Sequence, residues 1–235
     1  MGKAAVMPSI AVPKPKKDMP KVLLLPEKSA STDKITEYLF SRGIDYAIIE
    51  YCIAKGLIFE SLPYHNIVFV GFDNEGKAKY AVFRAANDRR ILGDCSGSDK
   101  HYSFRLADSE SKEVHLFECA IDLLSYATLA KLSGRDWHKE NLVSLAGVYL
   151  PKEKIEESTT PAAVVKYLDG RPDIEKIHIH FDNDNAGRKA TEALKAILPK
   201  KYEIFDEPPK KGKDYNDYLC KQLGIYKSKE RSYER

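Results

Sequence analysis

The segment KIHIHFDNDNAGRKATEAL, residues 176–194, contains the transition that decides the fold. It begins with an alternating apolar run that is typical of a strand and then reaches Asp182 and Asp184, two carboxylates separated by one residue. Gly187 follows, and the apolar residues after it recur at the spacing of a helix. Two carboxylates this close repel each other, so the segment is either a solvated turn that caps a helix or part of a site that holds a cation.

Residues 113–222 continue this alternation of strand and helix. The expected strands are EVHLFE, NLVSLAGV, KIHIHF and KYEIF. The expected helices are CAIDLLSYATLAKL, TPAAVVKYLDG, AGRKATEALKAIL and DYNDYLCKQLG. This order predicts an α/β domain in which helices flank a parallel sheet and ligands bind beyond the carboxyl ends of the strands.

Residues 31–112 have a different pattern. Helical spacing in STDKITEYLFSRGI and DYAIIEYCIAKGL is followed by two strand-like runs, NIVFVGF and AKYAVFR, around the turn DNEG. We therefore expect a small α+β domain at 31–112 before the α/β domain at 113–222. Residues 1–30 are expected to be a disordered leader rich in Pro and Lys, and residues 223–235 a charged tail.

Composition narrows the class of protein. The chain is 43% hydrophobic and 31% charged with a net charge of +3, which is compatible with nucleic-acid binding without requiring it. No run approaches the roughly 20 apolar residues that span a bilayer, and the N-terminus lacks the apolar core of a signal peptide. The four cysteines include no C-x-x-C pair, which argues against a zinc ribbon or a disulfide framework and predicts a cytoplasmic protein with reduced thiols.

Carboxylates follow three of the predicted strands and should therefore meet at one edge of the sheet. Gathering like charges costs free energy unless a cation or raised pKa values offset it. Oxygen ligands without Cys or His favour Mg²⁺ or Mn²⁺, ions that serve phosphoryl chemistry. The carboxylates are Glu118 and Asp122 after the first strand, Asp182 and Asp184 after the third, and Asp214 and Asp217 after the last.

The D-N-D stretch taken alone has other interpretations. Asp or Asn before a helix commonly caps it. The calcium-loop pattern matches at Asp182, Asp184 and Gly187, but it fails at Ala186 and has Ala193 where Glu is required. Phosphatases with an aspartyl nucleophile also place D-x-D after a strand, although that strand normally comes early in the domain and here it is the third.

Four segments in order, HLFECAID, SLAGV, HIHFDNDNAG and KDYND, resemble the successive motifs of the Toprim domain. Bacterial primases, type IA and II topoisomerases and some nucleases share this domain. The resemblance covers about residues 113–222 and implies that Glu118 acts in acid–base or metal chemistry. It also implies that Asp182 and Asp184 bind Mg²⁺ and that Asp122 matches a further acid of the primase branch.

The last of these motifs matches only in part. Lys213 and Asp214 fit, but Asn216 stands where the family has its second acid, with Asp217 beside it. The resemblance implies that Asp122, Asp214 and Asp217 join the other two aspartates as metal ligands, binding a second ion or orienting the first.

The upstream half is similar to the N-terminal part of a primase catalytic core, and the whole arrangement resembles Toprim proteins of conjugative and other mobile elements. By this analogy, basic side chains would line a path for template or nucleotide phosphates, with Tyr102 and Phe104 stacking on bases. The alternative is that these are ordinary solvated charges. The basic residues are Arg84, Arg89, Arg90, Lys100, Arg105 and Lys213.

The resemblance implies a Mg²⁺- or Mn²⁺-dependent nucleotidyltransferase that makes short RNA or mixed primers on single-stranded DNA for a mobile element. Its partners would be single-stranded DNA and nucleotides. A separate zinc-binding protein or a helicase or relaxase would assist it, since the sequence has no zinc module; a chain that is a piece of a longer protein is the other explanation. Two functions stay open beside this one: a Toprim nuclease that cleaves phosphodiesters, and a non-catalytic nucleic-acid-binding module.

Overall fold

Two β-sheets form the framework of the protein. The computed structural model describes residues 22–87, 89, 91–107, 109–147 and 149–225. Most of the predicted leader and most of the predicted charged tail lie outside these described residues. None of the helices in the described part of the chain has the length and hydrophobicity needed to cross a bilayer.

The first sheet is antiparallel and follows two helices, as the sequence predicted for this half. The helices are α1 (Asp33–Ser41) and α2 (Tyr46–Ala54), and the strands, in spatial order, are β1 (Ile58–Glu60), β2 (Ile67–Phe72), β3 (Ala78–Arg84) and β4 (Leu92–Asp94). Asp45 caps α2 by accepting a hydrogen bond from the backbone N–H of Ala47. Strands β2 and β3 form the predicted hairpin, with Val68 opposite Phe83.

The second sheet has five strands in the spatial order β5-β7-β6-β8-β9. These are β5 (Arg105–Leu106), β6 (Glu113–Phe117), β7 (Asn141–Ser144), β8 (Lys176–Ile179) and β9 (Glu203–Asp206). Strands β6 to β9 are parallel to one another, and only β5 is antiparallel to its neighbour β7. The carboxyl ends of four strands therefore lie along one edge of the sheet.

Helices cover both faces of this sheet. The helices are α3 (Ala120–Leu132), α4 (Ala162–Gly170), α5 (Asn185–Ile197) and α6 (Tyr215–Gln222). One face of the sheet packs with α3 and α6 around Phe117, while Leu116 and Ile179 face the core that contains α4 and α5. The predicted fold class, a parallel sheet flanked by helices after a small α+β region, is confirmed in this arrangement.

The two halves of the chain share one hydrophobic core. Ile35 of α1 and Ile48 of α2 are fully buried in the same cluster as Leu124 of α3 and Leu219 of α6. Strand β5, which the sequence grouped with the first half, pairs with β7 of the second sheet. The sheet that carries the candidate site is therefore packed against the first half of the chain.

Candidate active site

Glu118 lies at the carboxyl edge of the second sheet, immediately after β6. Its Oε1 accepts a hydrogen bond of 3.1 Å from the backbone N–H of Asp182, because β6 and β8 are parallel neighbours whose ends emerge side by side. Burial and then the negative charge of Asp182 raise the pKa of Glu118 to about 7. A carboxyl group with a pKa near neutrality can accept or give a proton at physiological pH.

Asp182 is partly buried in the loop after β8. Burial and the charge of Asp214 raise the pKa of Asp182 to about 6, and the Lys213 ammonium opposes this shift. Lys213 Nζ lies 3.5 Å from Asp182 Oδ2 and 3.1 Å from Asp184 Oδ2. The edge therefore collects negative charge and already holds a cationic group between two carboxylates.

Asp184 combines the two interpretations that the sequence left open for it. Its Oδ1 caps α5, accepting hydrogen bonds from the backbone N–H groups of Ala186 (3.0 Å) and Gly187 (2.9 Å). Its Oδ2 faces Lys213. The hydrogen bond from Gly187 lowers the pKa of Asp184, so this carboxylate is ionised at neutral pH. An Asp here is both a helix cap and a member of the acidic group.

Two residues after this pair fix the shape of the loop. A Cβ at Gly187 would overlap the backbone carbonyl of Asp182, so only glycine fits there. Arg188 donates from Nε to the carbonyl of Asp182 (3.2 Å) and from Nη1 to Oδ1 of Asp206 in β9 (2.7 Å). Sequence reasoning missed Arg188, which looked like one of several solvated charges on α5.

Asp122 lies in the first turn of α3 and is buried. Its Oδ2 accepts from the Cys119 thiol (2.8 Å) and its Oδ1 from the backbone N–H of Asn216 (3.2 Å). Burial and the charge of Asp214 raise its pKa. The protein already supplies a donor to each oxygen of Asp122, so its metal-ligand role stays a prediction.

The start of α6 brings the last acidic motif to the same edge. Asp214 caps α6 by accepting from the backbone N–H of Asp217 (2.6 Å), and its charge acts on both Asp122 and Asp182. Asp217 Oδ2 accepts from the backbone N–H of Lys213 (3.4 Å). The structure thus places Asp214 beside the acids, whereas Asp217 contacts the backbone of Lys213.

Asn216, the departure from the family motif, points into the interior. Its Nδ2 donates to the Arg42 carbonyl (2.8 Å) and to Ser125 Oγ (3.0 Å), and its Oδ1 accepts from Arg42 Nε (2.6 Å). A carboxylate could not make these donations, so the amide suits the position. Arg42, which no local pattern distinguished, therefore joins the first half of the chain to α6.

Two further predicted basic residues, besides Lys213, lie close to this edge. Arg84 Nε donates to the Tyr38 hydroxyl (3.2 Å), which also accepts from Arg42. Lys100 Nζ donates to the carbonyl of Ala146 (3.2 Å), in the S-L-A-G loop after β7, and pairs with Asp94. Gly147, the next residue of that loop, donates its backbone N–H to the Glu118 carbonyl.

Other predicted contact residues lie elsewhere. Arg89 is exposed, and Arg90 lies outside the described residues. Arg105 donates to the Phe72 carbonyl (2.9 Å) and lines a groove of about 550 Å³ between the first sheet and α4. The stacking role predicted for Phe104 is wrong, because its ring is fully buried in the core.

The acidic group fits a hard divalent ion. All of its donors are carboxylate oxygens, and Mg²⁺ is commonly bound by one or two carboxylates together with substrate phosphates and water. Asp182 Oδ2 and Asp184 Oδ2 already converge on the positive charge of Lys213. Within the described residues, no three of these acids bring ligand atoms within 4.8 Å of one another, so part of any coordination shell would come from substrate or solvent.

Each half of the chain matches a known protein family. Residues 115–219 match the family described as Toprim-like, and residues 37–111 match "Protein of unknown function (DUF3991)". An uncharacterised plasmid protein of Bacillus anthracis is 29% identical over 209 residues, which cover 81% of this chain. The chain spans 58% of the length of that relative.

Solved primase structures share the fold. The primase fragment of the bacteriophage T7 primase-helicase protein matches with a TM-score of 0.55 and 23% identity, over 79% of this chain and 68% of that one. The DnaG primase catalytic domain bound to ssDNA matches with a TM-score of 0.52 and 16% identity, over 82% and 68%. The E. coli primase catalytic core matches with a TM-score of 0.53 and 12% identity, over 83% and 70%. Residues 115–219 are therefore similar to the Toprim-like family, and the chain has a fold similar to the catalytic cores of bacterial and phage primases.

Proposed function

We propose that the protein is a Mg²⁺-dependent nucleotidyltransferase of the primase type that makes short primers on single-stranded DNA. The observation that carries this proposal is the pairing of Glu118 with the loop of Asp182 and Asp184. A carboxyl group whose pKa is about 7 accepts a hydrogen bond from the backbone of the loop that carries two carboxylates, which share a lysine. A proton acceptor next to a site for a cation is what the attack of a hydroxyl group on a nucleotide phosphate requires.

Each group would have a distinct role. Asp182 and Asp184 would hold the divalent ion, which neutralises charge on the nucleotide phosphates when it is bound. Glu118, in its ionised form, would accept the proton of the attacking 3′-hydroxyl. Lys213 would release its two carboxylates to the ion and contact a phosphate instead. Asp122 and Asp214 would orient the first ion or bind a second one.

The proposed partners follow from the same fold. Arg84, Arg89 and Lys100 would contact the phosphates of single-stranded DNA or of nucleotides, and Arg105 would do so from the separate groove. The plasmid origin of the relative supports a role in a mobile element, such as conjugation. A zinc-binding or helicase or relaxase partner and a cytoplasmic location belong to the same proposal.

Primer synthesis tests the proposal directly. The full chain would be incubated with single-stranded DNA, labelled ribonucleotides and Mg²⁺ or Mn²⁺. We expect Asp182→Asn to reduce product more than about 100-fold, and Glu118→Gln to reduce it by about 10²- to 10⁴-fold. Asp169→Asn makes the same chemical change at an exposed position of α4 and should leave synthesis unchanged. No product from the wild type, or equal product from Asp182→Asn, would contradict the proposal.

A nuclease is the second candidate, because a base with the pKa of Glu118 could equally deprotonate water. Incubation of labelled DNA and RNA with Mg²⁺ but without nucleotides separates the two reactions, since only a nuclease shortens the strands. A module that only binds nucleic acid would show neither product, and its affinity would depend on salt and not on the divalent ion.

A further inference from the structure

A second group of potential ligands lies on the face of the second sheet that packs with α3 and α6. His115 of β6 is directly opposite His178 of β8 in the sheet register, and His180 follows two residues later on the same face. Glu207 follows β9, the next strand. Unlike the acids at the strand ends, these side chains belong to the body of the sheet and include three imidazoles.

The separations between ligand atoms suit one metal ion. His115, His180 and Glu207 each offer an atom within 4.8 Å of the other two. The distance from His115 Nδ1 to His180 Nε2 is 2.8 Å, that from His180 Nε2 to Glu207 Oε2 is 3.6 Å, and that from Glu207 Oε2 to His178 Nδ1 is 3.2 Å. Neighbouring ligands of tetrahedral zinc lie about 3.3 Å apart when the bonds are about 2.0–2.1 Å. Two of the three separations, 2.8 Å and 3.2 Å, are shorter than that value, and the third, 3.6 Å, is longer.

The orientation of His180 is fixed by its other ring nitrogen. Nδ1 lies 3.1 Å from the backbone carbonyl of Glu207. A carbonyl can only accept, so Nδ1 carries the proton and Nε2 presents a lone pair to the group. The Tyr215 hydroxyl, 2.8 Å from Nδ1, donates to the same carbonyl. Metal-binding histidines are typically held in this way, with the second nitrogen donating to a carbonyl or carboxylate.

Glu140 supplies an independent observation. Its Oε1 accepts from Arg135, but its Oε2 is buried without a hydrogen-bond partner among the described residues and lies 3.8 Å from His115 Nε2. Without a metal, His115 must carry its proton on Nδ1 to donate to His180, so the bare Nε2 faces the bare carboxylate oxygen. With a metal on Nδ1, the proton moves to Nε2 and points at Glu140. The metal-bound tautomer thus directs a donor toward a buried carboxylate oxygen that is otherwise unpaired, at a separation of 3.8 Å.

Two of the imidazoles lie in the interior of the protein. His115 and His180 are 7% and 2% exposed. The Tyr126 hydroxyl, 3.2 Å from His115 Nδ1, is a further neighbour of the ring.

A competing set of ligands is less suitable. Glu113, His115 and His178 also bring ligand atoms within 4.8 Å of one another. However, Glu113 Oε1 is paired with Lys176 Nζ at 2.8 Å, so a positive charge already occupies this carboxylate. The set that contains Glu207 has no such lysine pair among its described ion pairs.

We propose that His115, His180 and Glu207 bind a transition-metal ion, with His178 next to Glu207 as the fourth donor. Two or three imidazoles with one carboxylate favour Zn²⁺ over Mg²⁺, which prefers oxygen ligands. The ion replaces the hydrogen bond between His115 and His180 and joins β6, β8 and β9. Because Glu118 and Asp182 follow β6 and β8 within three residues, the ion fixes the strands that carry the candidate active site.

The test measures zinc bound to the purified full chain. The protein is stripped with a chelator, dialysed against Zn²⁺ and then against metal-free buffer, and its metal content is determined by mass spectrometry. We expect one Zn²⁺ per wild-type chain and none in Glu207→Gln or His180→Asn. Glu140→Gln should weaken binding by about 10- to 100-fold. Visible absorption of the Co²⁺-loaded protein reports whether the site is tetrahedral.

Two control variants separate this site from the acids and from surface histidines. Asp184→Asn removes a carboxylate of the strand-end group, and His101→Ala removes an exposed histidine beside Asp99. Both should retain one Zn²⁺. The proposal is overturned if the wild type retains no stoichiometric Zn²⁺, or if zinc is lost in Asp184→Asn and kept in Glu207→Gln. Glu207 is 44% exposed in its side chain, so Glu207→Gln should stay folded even where His180→Asn does not.

Discussion

At the scale of single residues, Glu118 and Asp182 illustrate what an acidic edge does to stability. Their pKa values, about 7 and about 6, stand above the ordinary values of 4.5 and 3.8, and the pKa of buried Asp122 is also raised. The folded state therefore retains protons that the unfolded chain has already released. It follows that the contribution of these groups to stability decreases as the pH rises through this range.

We therefore predict that these three acids make the free energy of unfolding of the metal-free protein decline between pH 5 and pH 8, against the opposite contribution of His115 and His180, whose pKa values are lowered by burial. Urea denaturation at several pH values measures this, and Glu118→Gln should make the decline smaller because it removes one of the groups. Glu37→Gln, at an exposed position of α1, is the matched control. Mg²⁺ should restore stability mainly above pH 6, where its ligands are ionised. A decline that Glu118→Gln leaves unchanged would contradict this explanation.

Substitution of Asn216 tests whether asparagine replaces the acid of the Toprim motif for a structural reason. Asn216→Asp restores the family acid but removes the two donations to Arg42 and Ser125. We predict a loss of about 1–3 kcal/mol in the free energy of unfolding, as expected when buried acceptors lose their donor, and no gain in primer synthesis. Urea denaturation and the primer assay measure the two effects. Asn74→Asp, in the exposed turn before β3, should change neither, and a more active Asn216→Asp would show that the position belongs to the site.

At the scale of elements, helix α5 depends on the glycine in its first turn. Gly187→Ala places a Cβ against the Asp182 carbonyl, so the start of the helix or the D-N-D loop must shift. We predict a loss of about 1–3 kcal/mol in stability together with weaker Mg²⁺ binding. Denaturation and Mg²⁺ titration check the two effects separately.

Gly170→Ala is the matched control for this substitution. Gly170 ends α4, and a Cβ there meets no atom within 4 Å. Because alanine is the better helix former, Gly170→Ala should be neutral or stabilising by up to about 1 kcal/mol. Equal effects of the two substitutions would mean that the overlap at Gly187 is relieved without consequence.

Periodicity predicted the order of the helices and strands, because each pattern is local. It identified the β2–β3 hairpin and the strand–helix units on both sides of Asp182, and so it predicted which acids follow strands. It did not predict that β5 joins the second sheet, since a two-residue strand has no periodicity and its partner, β7, is distant in sequence. The resemblance to a primase core assigned Phe104 to base stacking, and the alternation of residues did not show that its side of the strand is buried.

The members of the two side-chain groups differed in how readily they could be predicted. Glu118, Asp182 and Asp184 follow a simple rule about the ends of parallel strands. Arg42 and Glu140 follow none: their roles come from contacts with Asn216 and His115, which belong to other elements. The HIH pattern in β8 was visible in the sequence, but its significance depends on the register with His115.

At the scale of the whole molecule, the shared core decides how the two halves behave. The division at residues 112 and 113 remains a prediction. In the structure, α3 and α6 bury apolar side chains in a cluster that also contains α1 and α2. Asn216 of α6 adds polar contacts to Arg42, between α1 and α2. Removal of the first half would expose to water the side of α3 and α6 that packs against α1 and α2.

We therefore predict that residues 109–225 expressed alone do not unfold cooperatively, although they contain the four parallel strands β6 to β9. Exposure of Leu124 and Leu219 removes burial worth about 1.5–3 kcal/mol for each large apolar side chain, and several such residues are involved. Calorimetry and dye binding to exposed apolar surface measure this, with the full chain as reference. A variant with Leu124→Ser and Leu219→Ser in the fragment should bind less dye if this face is responsible. A fragment that unfolds cooperatively, with a stability within about 1 kcal/mol of the full chain, would instead mean that the sheet is held by its own helices and that the first half serves the site alone.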